Sequence, residues 1–263
     1  MRRMKLQLIF ALLCCALLPA FATGNQEQPV PGIVGNLLQH SFPAPDFTLT
    51  DQNGAPFHMA AMKGKVVMMS FIYTHCTDIC PYIAVKVKNA YTLLGNEATN
   101  VVFVAVTTDP KRDVPAVTAA YSKELGLLDV WHFVSGAPKA VQAVWFSYGI
   151  GVTVDQNTDA VAPPKDEKMS GMSMKTDKTA VASSDSTEAK GGGMEMALPT
   201  QGLSSSDIDL AGTLSDKFGG GYDVGHSAPF WIVDKKGLIH VGMDADATPA
   251  DLVTNIRALL KLK

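Results

Sequence analysis

Short apolar blocks, separated by turn-forming residues, follow one another along the chain. Residues 65–73 and 101–106 are apolar runs rich in Val, and their length is that of buried β-strands. Residues 82–94 and 114–125 instead place apolar side chains at helical spacing, and a glycine follows each segment. The other predicted elements are a hairpin around Asn53-Gly54, strands at 130–134 and 151–154, a helix at 138–148, a hairpin at 230–241 and a closing helix at 249–260.

This alternation of strands and helices, ending in a hairpin and a helix, predicts an α/β sandwich around a mixed central sheet. The order of the elements is that of a thioredoxin-like fold. In that layout Cys76 and Cys80 come just after a central strand, in the loop that leads into a helix N-terminus.

Two segments depart from the pattern. Residues 23–42 are rich in Gly, Pro and Gln and are predicted to be a flexible arm ahead of a thioredoxin-like domain at 43–263. Residues 155–220 are predicted to be a long disordered insertion in that domain, because residues 149–217 contain no Phe, Trp or Tyr and cannot bury enough apolar surface. The insertion carries five methionines: Met169, Met172, Met174, Met194 and Met196.

The first 22 residues resemble a signal peptide. Arg2, Arg3 and Lys5 precede an uncharged, mostly apolar stretch at 6–18, and Ala20-Phe21-Ala22 supplies small residues at a cleavage spacing. We predict export to the periplasm. The alternative is that the segment stays uncut and keeps the protein associated with the membrane.

Removal of residues 1–22 changes the charge and the cysteine count. The 22 basic residues fall to 19 while the 25 acidic residues remain, so the net charge becomes −6, which argues against a nucleic-acid partner. Only Cys76 and Cys80 remain. In an oxidising compartment such a pair forms a disulfide, a metal site or a redox centre. The loop that it would close is too short for a purely structural disulfide.

The chemistry of the pair points to copper. Thiolates near a helix N-terminus have a lowered pKa, and two soft thiolates select Cu(I). An imidazole would add affinity for Cu(II). The chain has six candidate histidines, and His226, in a glycine-rich segment before the strand at 230–233, is favoured as the third ligand. His75 is predicted to support the loop, although ligation is the alternative. Asp78 and Pro81 are predicted to shape the loop.

The chain resembles the Sco/SenC family of copper-binding assembly proteins. Residues 71–81 match the family signature FxYTxCxDxCP, and the similarity covers about residues 42–155 and 221–262. Other matching positions are Asp46-Phe47, Asp51, Gly54, Asp109-Pro110, Arg112-Asp113, Pro115 and His226-Ser227. The chain departs from the family pattern at Thr77, where proline is common, at Gly225, where aspartate is common, and in its long insertion.

The resemblance implies a thioredoxin-like fold and a Cu(I)/Cu(II) site formed by Cys76, Cys80 and His226. It also implies a metallochaperone, rather than an enzyme, that delivers copper to the CuA site of a cytochrome c oxidase subunit or a similar cuproenzyme, or reduces the thiols of that site. Such a protein needs a thiol reductant. No small-molecule substrate is implied.

Two other functions stay open. One is that of a periplasmic thiol–disulfide oxidoreductase, in which Cys76 and Cys80 are the redox pair. The other is that of a protein that buffers or senses copper without delivering it. The five methionines of the insertion form a possible secondary metal site that captures Cu(I) for the cysteines, and chance occurrence is the alternative.

Overall fold

The computed structural model describes residues 32–34, 36–154 and 200–262, with only the backbone of 36–40. The strands in these ranges are β1 (Asn36–Pro43), β2 (Thr48–Thr50), β3 (Pro56–His58), β4 (Val66–Ile72), β5 (Val101–Thr107), β6 (Trp131–Val134), β7 (Val152–Val154), β8 (Val224–His226), β9 (Phe230–Val233) and β10 (Leu238–Met243). The α-helices are α1 (Cys80–Leu94), α2 (Pro115–Leu125), α3 (Pro138–Ser147), α4 (Ser205–Phe218) and α5 (Pro249–Leu260).

The main sheet has six strands in the order β1-β10-β9-β4-β5-β6. Strands β4, β5 and β6 are parallel, whereas β9 pairs antiparallel with β4, and β10 and β1 continue antiparallel. Two small antiparallel pairs, β2–β3 and β7–β8, complete the strands of the described residues. The predicted α/β sandwich with a mixed central sheet is confirmed.

Helices cover both faces of the central strands. Side chains on both faces are therefore buried, and nearly all of them are apolar. All seven residues of β4 and all seven of β5 are buried. On one face Val67, Met69 and Phe71 pack in a core with Trp145 of α3 and Phe57 of the β2–β3 hairpin. The other face is covered by α1, which contacts both α4 and α5. The core therefore holds the end of β4, and the loop after it, in a defined position.

The prediction of a flexible arm at 23–42 is wrong from residue 36 onward. There the chain forms β1, in which Asn36 pairs with Gly242 and Leu37 with Val241 of β10. The physical reason is that β10 would otherwise present unpaired backbone groups at the edge of the sheet, and a strand of almost any composition can pair with them.

The prediction of a disordered insertion at 155–220 is wrong at its C-terminal end, because residues 205–218 form helix α4. Ser204 and Asp207 make a reciprocal capping box at its start, and Ala211 and Leu214 supply a buried apolar face. Residues 155–199, with all five methionines, lie outside the described residues, so their predicted role as a secondary metal site is still a prediction.

The predicted signal segment, 1–22, also lies outside the described residues. In the part of the chain that the structure describes, no helix has both the length and the apolar character needed to cross a bilayer.

Candidate metal centre

Cys76 and Cys80 lie where β4 ends and α1 begins. Cys80 is the first residue of α1, and Pro81 follows in the first turn, where no N–H is needed. Both cysteines are free thiols, and they are 4% and 0% exposed. The backbone N–H of Asp78, just before the helix, donates to Cys76 Sγ at 3.4 Å. The start of the helix therefore surrounds the thiols with N–H groups that favour a thiolate.

His226 reaches the cysteines from a distant part of the chain. It ends β8, where it pairs with Val152 of β7, and its Nε2 lies 3.3 Å from Cys80 Sγ. Its Nδ1 lies 3.0 Å from the carbonyl oxygen of Ser227. Because a carbonyl can only accept, Nδ1 carries the ring proton and Nε2 directs its lone pair toward Cys80. Burial lowers the pKa of His226, which keeps the imidazole neutral and able to ligate a metal.

The donor set suits a soft metal ion. A metal bound by one thiolate and one imidazole would hold the two atoms roughly 3.5 Å apart, given bond lengths of about 2.3 and 2.0 Å. The 3.3 Å between Cys80 Sγ and His226 Nε2 is close to that separation. Among residues 32–34, 36–154 and 200–262, however, no group of three or more His, Cys, Asp or Glu side chains is already arranged to hold a metal. Ligation by all three residues therefore needs a side-chain adjustment.

The two thiols differ in acidity. The neighbouring Cys80 thiol is the main cause that lowers the pKa of Cys76 to about 6, helped by the N–H groups of Cys80 and Asp78 and by Tyr73, against an opposing effect of burial. Burial raises the pKa of Cys80, and the proximity of Cys76 raises it further. At neutral pH the pair is therefore a Cys76 thiolate beside a Cys80 thiol.

This asymmetry predicts the reactivity of the reduced protein. Alkylation of Cys76 by iodoacetamide should rise with pH to a midpoint near 6, since the thiolate is the nucleophile. Cys80 should react far more slowly at every pH up to 8. Peptide mapping of each cysteine after timed alkylation measures both rates. Equal rates, or a Cys76 midpoint above 8, would contradict the assignment.

Tyr73 joins the cysteine loop to the histidine segment. Its hydroxyl accepts a hydrogen bond from the N–H of Val224 at 3.2 Å, and its ring meets the His226 ring edge-on with centroids 5.8 Å apart. Burial is the main cause that raises the pKa of Tyr73, so the hydroxyl stays protonated. Tyr73 thus fixes the approach of β8 to the thiols.

Asp113 anchors the start of the same loop. Its buried carboxylate accepts hydrogen bonds from the hydroxyls of Thr74, at 2.5 Å, and Thr107, at 2.6 Å. The N–H of Thr74 donates to it as well, at 3.2 Å. Asp113 therefore ties the loop after β4 to the end of β5.

The residues predicted to support the loop lie around it. His75 Nδ1 is 2.9 Å from the Thr74 hydroxyl, and the His75 carbonyl accepts from the N–H of Gly220 at 3.3 Å. Asp78 is exposed and contacts Cys76 through its backbone only, while Pro81 is buried in α1.

Four residues of this centre had no role assigned from the sequence: Tyr73, Thr74, Arg112 and Asp113. All four stand in the matched motifs, which was a signal of importance, but no local pattern indicates what they contact.

Comparison with known proteins identifies the family to which the chain is similar. The SCO1/SenC family model matches residues 37–185. An SCO2-like protein of Rickettsia felis is 35% identical over 97 residues, which is 37% of this chain and 47% of that protein, so the match spans about half the length of this relative.

Solved structures share the fold. Copper-bound ScoI of Bradyrhizobium japonicum has a TM-score of 0.53 and 21% identity, covering 83% of this chain and 99% of that one. BsSco, described as a member of the Sco family of cytochrome c oxidase assembly proteins with a disulfide switch, has a TM-score of 0.52 and 16% identity over 88% of this chain and 99% of its own.

Proposed function

The chain belongs to the SCO1/SenC family, and we propose on this premise that it binds one copper ion through Cys76, Cys80 and His226 and passes it to a partner protein. The single observation that carries the proposal is the 3.3 Å contact between Cys80 Sγ and His226 Nε2, which joins residues 146 positions apart. An imidazole nitrogen beside a buried thiol is a donor pair that suits copper.

Each ligand would contribute differently. Cys76 offers a thiolate at neutral pH, while Cys80 has to release its proton as the metal binds, so binding is coupled to proton release. The lone pair of His226 Nε2 completes the set. Two thiolates favour Cu(I), and the imidazole extends the affinity to Cu(II).

The small number of protein ligands would allow the copper ion to be passed to a partner. Three protein ligands leave copper open to attack by a fourth, so an acceptor with soft ligands can take the ion by stepwise exchange. BsSco is described as a member of a family of cytochrome c oxidase assembly proteins, and we propose a subunit of that enzyme as the acceptor. A thiol reductant is also required, because a Cys76–Cys80 disulfide could not bind the ion.

The test is copper binding by the reduced protein without residues 1–22, beside a His226→Ala variant. We expect one copper per chain and a thiolate-to-Cu(II) absorption band that is lost or strongly altered in the variant. His132→Ala is the control, since His132 contacts Asp51 and Phe57, away from the thiols. Failure of the reduced protein to retain copper would overturn the proposal.

A thiol–disulfide oxidoreductase is the second candidate, favoured by the low pKa of Cys76 beside a free Cys80. The Cys76 thiolate would attack a partner disulfide and release one partner thiolate. Cys80 would then lose its proton and attack the mixed disulfide, which reduces the partner by two electrons and leaves a Cys76–Cys80 disulfide. Rapid exchange without copper retention would favour this function. A protein that only buffers or senses copper would retain the ion but not transfer it to an acceptor.

The remaining proposals rest on sequence alone. They are export to the periplasm through residues 1–22, with retention at the membrane as the alternative, and Cu(I) capture by the methionines of the insertion.

A further inference from the structure

Arg112, in the turn after β5, uses both terminal guanidinium nitrogens to hold the segment that leads to His226. Nη1 donates to the carbonyl of Gly220 and Nη2 to that of Tyr222, both at 2.8 Å. Nε pairs with the carboxylate of Asp109. The rigid fork of an arginine can make these bonds at once, which a lysine cannot.

Two aromatic rings also contact the Arg112 guanidinium. The guanidinium carbon of Arg112 lies 3.7 Å from the centroid of the Tyr222 ring and 5.6 Å from that of Tyr73. The Tyr222 hydroxyl donates to Asp109 at 2.8 Å, so the carboxylate binds both the guanidinium and the phenol. Arg112 is only 16% exposed in its side chain, which strengthens these interactions relative to a pair in open water.

The glycines before Tyr222 let the backbone approach this closely. A Cβ on Gly219 would lie 2.4 Å from the Thr77 methyl carbon, between the two cysteines. A Cβ on Gly221, where φ is +84°, would lie 2.7 Å from Arg112 Nη1. The segment 219–221 therefore passes directly over the cysteine loop and against Arg112.

Three residues between positions 222 and 226 then attach this part of the chain to the site. Tyr222 is held by Arg112, Val224 donates its N–H to Tyr73, and His226 contacts Cys80. Val224 opens β8 and Tyr222 lies in the bend just before it, so these two backbone attachments fix the strand that carries the His226 side chain.

We propose that Arg112 is a positioning residue that sets the place of His226 at the thiols, an inference that rests on the proposed copper function. Arg112 touches neither thiol nor imidazole and acts through Tyr222 and the segment that follows it.

The experiment compares Arg112→Gln with Arg257→Gln. Arg257 is a matched control, because it also donates to a carboxylate (Glu97) and a backbone carbonyl (Leu93), at the far end of α1, about 20 Å from Cys80. In the copper-free protein, the amide of Val224 should exchange with deuterium at least about 10-fold faster in Arg112→Gln. It should be unchanged in Arg257→Gln.

Copper binding provides the second measurement. Arg112→Gln should weaken Cu(II) binding by about 10-fold and shift the EPR spectrum, as substitutions behind a metal ligand do. It should have no further effect in a His226→Ala background. Arg112→Lys should behave like the Gln variant, because a lysine ammonium keeps the positive charge but cannot make the three hydrogen bonds of the planar guanidinium.

The outcomes separate the two proposals. Unchanged exchange of the Val224 amide, or an equal loss of affinity with and without His226, would overturn the role of Arg112. Faster exchange in a chain that holds no copper would support the positioning role and overturn the copper function.

Discussion

Cys80→Ser is expected to weaken Cu(I) binding at least about 100-fold, the largest effect on function that the structure predicts. Structural metal sites with four ligands bind with about 10–16 kcal/mol, which is roughly 3 kcal/mol per ligand, or more than 100-fold in affinity. The serine hydroxyl is a harder donor and stays protonated near neutral pH. Cys80 is also the residue that contacts His226, so its loss leaves that imidazole without a partner thiol. Competition with a Cu(I) chelator measures the affinity.

Thr77→Ser is the matched control, because Thr77 lies between the cysteines in the same loop and offers no soft ligand. It should bind Cu(I) as the unaltered chain does. Retention of Cu(I) by Cys80→Ser within about 3-fold of the unaltered affinity would show that Cys80 is not a ligand.

The contribution of Asp113 to the stability of the protein is expected to fall as pH rises from about 4 to 7. Burial is the main cause that raises the pKa of this carboxyl from 3.8 to about 7, although its hydrogen bonds with Thr107 and Thr74 oppose the change. The folded state therefore holds a proton that the unfolded state releases in this range. Since stability rises with pH only where the unfolded state binds more protons, here it falls, by on the order of 4 kcal/mol. Above pH 7 both states are ionised and the contribution is constant.

Asp113→Asn isolates this contribution from that of other titrating groups. The variant has no charge to bury. The difference between its free energy of unfolding and that of the unaltered chain should therefore shift in favour of the variant between pH 4.5 and 7.5. Urea unfolding at both pH values measures the difference. Asp78→Asn, which removes an exposed carboxyl near the cysteines, is the control and should show no such change. Parallel pH profiles for Asp113→Asn and the unaltered chain would contradict the assignment.

Local sequence was sufficient to predict most of the fold. Strands β4 and β5 were predicted to within a residue or two, because strands buried on both faces must be apolar throughout. The helix ends at Gly95 and Gly126 and the hairpin at 230–241, which turns at Gly237, could be predicted for a similar reason: these backbone conformations favour glycine. The same kind of evidence placed Cys76 and Cys80 between a strand and a helix.

Strand β1 and helix α4 escaped prediction because their signals were weak or not local. Strand β1 forms because the edge of β10 needs a backbone partner, and backbone pairing leaves little trace in composition. Helix α4 has a capping box at Ser204 and Asp207, but it follows a long polar segment that hid the short apolar stripe.

Local sequence was enough to place two thiols four residues apart at a predicted helix N-terminus, and it left several histidines as candidate partners for them. Only the tertiary structure decided that His226 meets Cys80, that Cys76 is the acidic thiol, and that Asp113 and Arg112 hold the two segments together. The contacts of Asp113, Arg112 and His226 join residues 39 to 146 positions apart, and the acidity of Cys76 depends on how the folded loop places Cys80 and the N–H of Asp78 around its sulfur, so local sequence spacing predicts neither.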